Sequence, residues 1–208
     1  MSERMEVGPL STDVVVAVVG AGTMGAGIAQ VAAAAGHHVL LVDASHEAAL
    51  AARGRIRDGI QSRVAKGKVA ADEGERLLER IEVVPDLEHL SGAGLVIEAI
   101  FEDLEAKQTL FAKLEGIVAP DAILATNTSS VSVTAIASAL GQPGRLVGMH
   151  FFNPAPVMKL VEVVSGLQTR ADVAELIYAT ARAWKKKPVH ARSTPGFIVN
   201  RVARPYYA

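Results

Sequence analysis

The chain has 208 residues, half of them apolar, with 21 Lys and Arg against 22 Asp and Glu, so it can bury a substantial core and has no net field drawing it to nucleic acid or anionic lipid. The absence of cysteine excludes disulfides, a thiolate nucleophile and thiolate metal sites, and fits a reducing compartment. The polar opening "MSERMEVGPLSTD" reads as a frayed terminus, and the apolar run behind it is too short for a secretory segment or a membrane span, which predicts a soluble, cytoplasmic protein.

The first strand, "VVVAVV" (14–19), is a β-branched run that stops at Gly20, the pattern of a parallel strand buried on both faces. "GAGTMG" follows, with Gly20, Gly22 and Gly25 in G-x-G-x-x-G spacing between this strand and a small-residue helix over 23–36. In that context the glycines allow a tight turn and close approach of backbone to a pyrophosphate, while Thr23 and Met24 open a helix whose N-terminus attracts phosphate. A second strand, "HVLLVD" (38–43), ends at Asp43, 18 residues past Gly25, where a carboxylate would accept hydrogen bonds from an adenosine ribose. The next residues, "ASHEAALAA", hold no arginine for a 2′-phosphate, which favours NAD over NADP.

A polar helix over 45–68, N-capped by Ser45, carries Arg53, Arg55, Arg57, Arg63, Lys66 and Lys68 against Glu47 and Asp58. This excess fits a solvated face or a docking surface for a polyanion, of which a phosphate-bearing coenzyme A would be one. A shorter helix near 72–80 leads to strands at 81–84 and 95–100, a helix over 103–117, a strand at 122–126, a short helix near 131–140 and a strand at 145–150. Strands and helices alternating at this spacing predict a doubly wound, Rossmann-type, mostly parallel sheet with helices on both faces. "ATNTSSVS" (125–132) begins at a strand end, where such a sheet places its ligand crevice. Its hydroxyls and the Asn127 amide can contact substrate there, although the serines and threonines can also cap the next helix, and Ser129 is not separable from Ser130 on these grounds.

In "HFFNPAPVMKLVEVV" His150 stands beside two phenylalanines, and Glu162 interrupts an apolar strand (160–164); an unpaired buried charge in such company costs several kcal/mol. A helix over 171–185 ending in three lysines and a strand at 188–191 complete the sheet. "TPGFIVNRVARPYYA" then reads as a helix that starts at a Thr194 cap and Pro195 and runs to the last residue. Phe197, Ile198, Val202, Tyr206 and Tyr207 form an apolar stripe on it with nothing of its own to pack against, so the expectation is a natural protein that continues further.

Together, "GAGTMGAGIAQ", "EAIFED", "TNTSS", "HFFNPAPVMKLVEVV" and "TPGFIVNR" resemble the L-3-hydroxyacyl-CoA dehydrogenase family from Val14 to Tyr207. Within it the chain is most similar to the 3-hydroxyadipyl-CoA branch of phenylacetate catabolism, with the 3-hydroxybutyryl-CoA branch close behind. The resemblance implies hydride transfer between the C3 hydroxyl of a 3-hydroxyacyl-CoA and NAD. It makes His150 the catalytic base and Glu162 its partner, and places Ser129 and Asn200 on the C3 oxygen and Asn153 near the nicotinamide. Glu102 and Lys107 resemble contacts to the NAD ribose and phosphates, and Lys66 or Lys68 would meet the coenzyme A phosphates. No metal, nucleic acid or membrane is implied. The family's helical C-terminal domain forms a homodimer, and only its first helix is expected here: a frayed 1–13, an NAD-binding domain over 14–192 and that helix over 193–208. The competing reading is an NAD-binding module without turnover.

Overall fold

The computed structural model describes residues 7–203. Eight strands form one sheet in the order β3-β2-β1-β4-β5-β6-β7-β8. They are β1 Val16–Val19, β2 Val39–Val42, β3 Ile81–Val83, β4 Leu95–Glu98, β5 Ile123–Thr126, β6 Leu146–Phe151, β7 Leu160–Ser165 and β8 Lys187–Arg192. Between them run α1 Thr23–Ala34, α2 His46–Ala65, α3 Ala71–Glu79, α4 Leu104–Ile117, α5 Val133–Ala137 and α6 Ala171–Ala183, followed by α7 Val199–Ala203.

The strands read as apolar runs because both faces are covered. Along β1, Val16 and Val18 enter one core with Ile28 of α1, Ile56 of α2 and Ile177 of α6, while Ala17 and Val19 enter the other with Phe111 of α4 and Ile136 of α5. The strand order reverses between β1 and β4, so a crevice opens at the carboxyl ends of the parallel strands. That edge carries Gly20 after β1, Asp43 after β2, Glu98 and Glu102 at β4, Asn127 and Ser129 after β5, and His150 near the end of β6.

The mostly parallel sheet is as expected, with one reversal that positions the site. Residues 152–159 between β6 and β7 are too few for a crossover, and β7 returns antiparallel, which sets His150 directly opposite Glu162. α6 then carries the chain over to β8, parallel to β7.

The C-terminal segment departs from expectation. Residues 195–198 form a turn with positive φ at Gly196 (73°) and Phe197 (49°), and α7 begins only at Val199. The Thr194 hydroxyl lies near the Arg192 carbonyl instead of capping a helix. The left-handed turn, which glycine adopts at little cost, sends Phe197 into the core with Val164 and Ala191, so it is 3% exposed and not part of an outer stripe. Ile198 and Val202 are exposed as expected; Tyr206 and Tyr207 lie outside the described residues.

Candidate active site

The dinucleotide end is built by backbone. Gly20 has φ +102° and passes so close to the Ala99 carbonyl that a Cβ would stand 2.6 Å from its oxygen, and a Cβ on Gly25 would stand 1.7 Å from the Gly20 oxygen. These two glycines let β1, β4 and α1 converge. Gly22 serves differently: nothing lies within 4 Å of where its Cβ would be, and it N-caps α1 with no side chain to occupy the N–H groups at the helix start. Asp43 accepts from the Ala21 N–H (2.7 Å) and the Ser45 N–H (3.0 Å), so its carboxylate ties the glycine loop to the end of β2. A cavity of about 1100 Å³ lies over this turn, lined by Gly20, Gly22, Asp43, Leu87, Phe101 and Ile117 among others. Open backbone donors, a carboxylate and an apolar slot suit a pyrophosphate, a ribose and an adenine.

The chemical end lies outside the lining of that cavity, on β4 to β7 and α7. His150 is 5% exposed, and its Nδ1 is 2.7 Å from Glu162 Oε2 across the β6–β7 ladder. A carboxylate there requires Nδ1 to carry a proton, so in the neutral imidazole Nε2 is the nitrogen with the lone pair, and it has no hydrogen-bond partner among the described residues. The rings of Phe152 and Phe197 lie 4.5 and 5.8 Å from the imidazole, centroid to centroid, and make the apolar wall. Glu162, fully buried, also accepts from the Ile198 and Val199 N–H groups, each at 2.9 Å. One carboxylate therefore orients the histidine and holds the start of α7, which carries Asn200.

Asn200 Nδ2 donates to the Ser129 carbonyl at 3.1 Å, so α7 is tied to the loop after β5. Glu102 in turn accepts from the Ser129 N–H (2.5 Å), the Ser129 hydroxyl (2.9 Å) and the Thr128 hydroxyl (2.9 Å), with the Lys107 ammonium at 3.3 Å. Partial burial raises the Glu102 pKa, but the Ser129 N–H, the Lys107 charge and the two hydroxyls outweigh it and hold the carboxyl below its ordinary value. Ser129 and Ser130 are thus distinguished: Ser129 joins Glu102 and Asn200, whereas the Ser130 N–H points to Thr128 Oγ1.

Other expected residues stand apart from this cluster. Lys107 is 1% exposed and held by two carboxylates, so it is an internal cation and not one extended toward a phosphate. Asn153 is exposed on the β6–β7 connection. Lys66 and Lys68 are exposed where α2 ends, while Arg53 of the same helix is spent on the Ile81 carbonyl and Arg55 reaches the Ala21 carbonyl. Asn127 is the amide that the sequence set beside substrate after β5, whereas Glu98 escaped the sequence reading. Asn127 accepts the Phe151 N–H at 2.8 Å, so its amide oxygen fixes the end of β6 beside His150. Glu98 had the same signal as Glu162, a lone carboxylate in an apolar strand. Among the described residues no group of three or more His, Asp or Glu could hold a metal ion, and no helix is long and apolar enough to cross a membrane.

The family described as 3-hydroxyacyl-CoA dehydrogenase, NAD binding domain, matches residues 15–194. The chain is 56% identical over 193 residues to the 3-hydroxyadipyl-CoA dehydrogenase of Escherichia coli K12, covering 93% of this chain and 41% of that protein. It is 43% identical over 188 residues to a probable 3-hydroxybutyryl-CoA dehydrogenase of Deinococcus radiodurans, covering 90% and 67%. The crystal structure of a 3-hydroxybutyryl-CoA dehydrogenase from E. coli K12 superposes with a TM-score of 0.93 at 56% identity, over 95% of this chain and 42% of that one.

Proposed function

The chain belongs to the 3-hydroxyacyl-CoA dehydrogenase NAD-binding-domain family, with NAD as its cofactor, and from that premise we propose that it oxidises (S)-3-hydroxyacyl-CoA to 3-ketoacyl-CoA. The observation that carries the reading is the His150–Glu162 pair, 2.7 Å apart, which leaves Nε2 without a hydrogen-bond partner among the described residues. The N–H groups at the start of α1 and the Asp43 carboxylate would hold the pyrophosphate and ribose. When bound, NAD supplies the acceptor for the hydride that leaves C3. His150 Nε2 takes the hydroxyl proton, and Glu162, hydrogen-bonded to Nδ1–H, stabilises the imidazolium until that proton passes to solvent. Asn200, whose amide donates to the Ser129 carbonyl at 3.1 Å, would bind the C3 oxygen with its remaining N–H, Ser129, its hydroxyl given to Glu102, would shape the pocket beside it, and Phe152 and Phe197 keep water from the reacting carbon.

The relatives' names differ in acyl group, adipyl in one and butyryl in others, so the test is a panel: NADH formation from 3-hydroxyadipyl-CoA, 3-hydroxybutyryl-CoA and longer esters. Turnover of at least one ester is expected. NADH binding without turnover of any would establish a binding module instead. The basic end of α2 at Lys66 and Lys68 is read as the coenzyme A phosphate contact, supported by their exposure and charge. Cytoplasmic location, a place in phenylacetate catabolism and homodimer assembly belong to the same proposal and rest on the resemblance, with sedimentation velocity the check on assembly.

A further inference from the structure

Glu98 is the last residue of β4, fully buried, and the chemistry above does not use it. Its Oε1 accepts from the Lys107 ammonium (2.5 Å) and the Ile100 N–H (2.7 Å), and its Oε2 accepts from the Thr126 hydroxyl (2.6 Å). Thr126 Oγ1 in turn accepts the Thr128 N–H at 3.2 Å, so Glu98 reaches the loop after β5 by a second route. Lys107 lies between two carboxylates, nearer Glu98 (2.5 Å) than Glu102 (3.3 Å).

That asymmetry matters because Glu102 has other work: it holds both the N–H and the hydroxyl of Ser129. A buried ammonium without Glu98 would turn fully to Glu102, the other carboxylate it touches among the described residues, and a charge-assisted pair outcompetes hydrogen bonds from a serine. We infer that Glu98 is a positioning residue that holds Lys107 away from Glu102, so that Glu102 is left to set the conformation of Ser129. The structural part of this inference stands on geometry alone; its consequence for turnover rests on the proposed role of Ser129.

The test uses Glu98→Gln, which keeps the shape and the acceptor for Ile100 N–H while removing the charge, together with Glu98→Gln/Lys107→Met, which also removes the competing ammonium. Amide hydrogen exchange is followed by NMR at Ser129 and, as controls, at Val18 and Val147 in the core. Glu98→Gln should speed exchange at Ser129 about tenfold, the worth of one hydrogen bond, with the core amides unchanged. The double variant should restore slow exchange at Ser129, because Glu102 no longer has a cation to follow. Unaltered exchange at Ser129, equal acceleration of all three amides, or no recovery in the double variant would each overturn the inference, since a plain counter-ion role predicts those outcomes. In parallel, kcat/KM of Glu98→Gln for the best 3-hydroxyacyl-CoA should fall about tenfold on the same one-bond basis. A wild-type chain that turns over no ester while Ser129 exchange behaves as described would remove the dehydrogenase reading and leave the positioning role intact.

Discussion

Replacing His150 with Gln keeps a polar side chain beside Glu162 but removes the free basic nitrogen. The expected result is a kcat lower by roughly 10²–10⁴, the usual worth of a positioned general base, with NAD affinity unchanged. Steady-state kinetics beside an NADH titration check both halves, and a variant turning over normally would move the base elsewhere. Glu162→Gln affects two structures at once, since the same carboxylate orients His150 and holds the Ile198 and Val199 N–H groups. Its kcat should fall, and amide exchange at Ile198 and Val199 should quicken; a loss of kcat with those amides still protected would separate the two roles. Asp43→Ala should weaken NAD by one to two decades, from lost charged hydrogen bonds worth about 1.5–3 kcal/mol. NADP should lose far less, because its phosphate is repelled by the carboxylate. Part of the NAD loss will come from the glycine loop itself, which Asp43 holds through the Ala21 N–H.

At the scale of elements, the glycines after β1 separate packing from binding. Gly25→Ala sets a methyl 1.7 Å from a backbone oxygen that cannot swing away, so α1 must lift off the sheet, and both Tm and NAD binding should collapse. Gly22→Ala meets nothing within 4 Å in the free protein, so Tm should hold while NAD binding is lost to the methyl standing in its path. Thermal melts of the two variants with and without NAD distinguish the roles. A Gly22→Ala chain still stabilised by NAD would mean that the phosphates do not approach that turn. β6 and β7 show the same division of labour: their short connection forces the antiparallel return, and the return alone puts imidazole and carboxylate in register.

Over the whole molecule, carboxylates link stability to pH: Glu102, Glu115, Asp86 and Asp172 are all held below their ordinary values by hydrogen bonds and neighbouring positive groups, and Glu102 is the one at the site. The folded-state pKa of Glu102 lies below its ordinary value of 4.5, so its contribution to stability is present above that pH and is lost as pH falls through the folded-state value. A Tm profile taken from pH 7 downward should therefore begin to drop below about pH 5. Glu102→Gln should make that limb shallower, the remainder belonging to Glu115, Asp86 and Asp172, and an unchanged acid limb in the variant would assign the acid sensitivity to those groups alone. NAD at a hundredfold excess over its Kd should stabilise the folded chain by about 2.7 kcal/mol, provided the unfolded chain does not bind it.

The strand and helix alternation, the sheet class, the glycine turn and the place of Asp43 at the end of the second strand were legible without coordinates, because each depends on periodicity or on conformational demands that a few adjacent residues satisfy. His150 and Glu162 stood out as charges in apolar surroundings, and their shared purpose came from a family likeness. Burial patterns say which face of a strand is covered and are silent about which side chain stands opposite. The tertiary structure decided the rest. It made Lys107 an internal cation between Glu98 and Glu102, tied Ser129 rather than Ser130 to Glu102, set Asn127 against the end of β6, and turned Phe197 inward where the sequence alone suggested an outer stripe. In each case the partners lie on different elements, and the deciding energy is the cost of leaving a buried charge, N–H or ring unmatched, which is set only when those elements have packed.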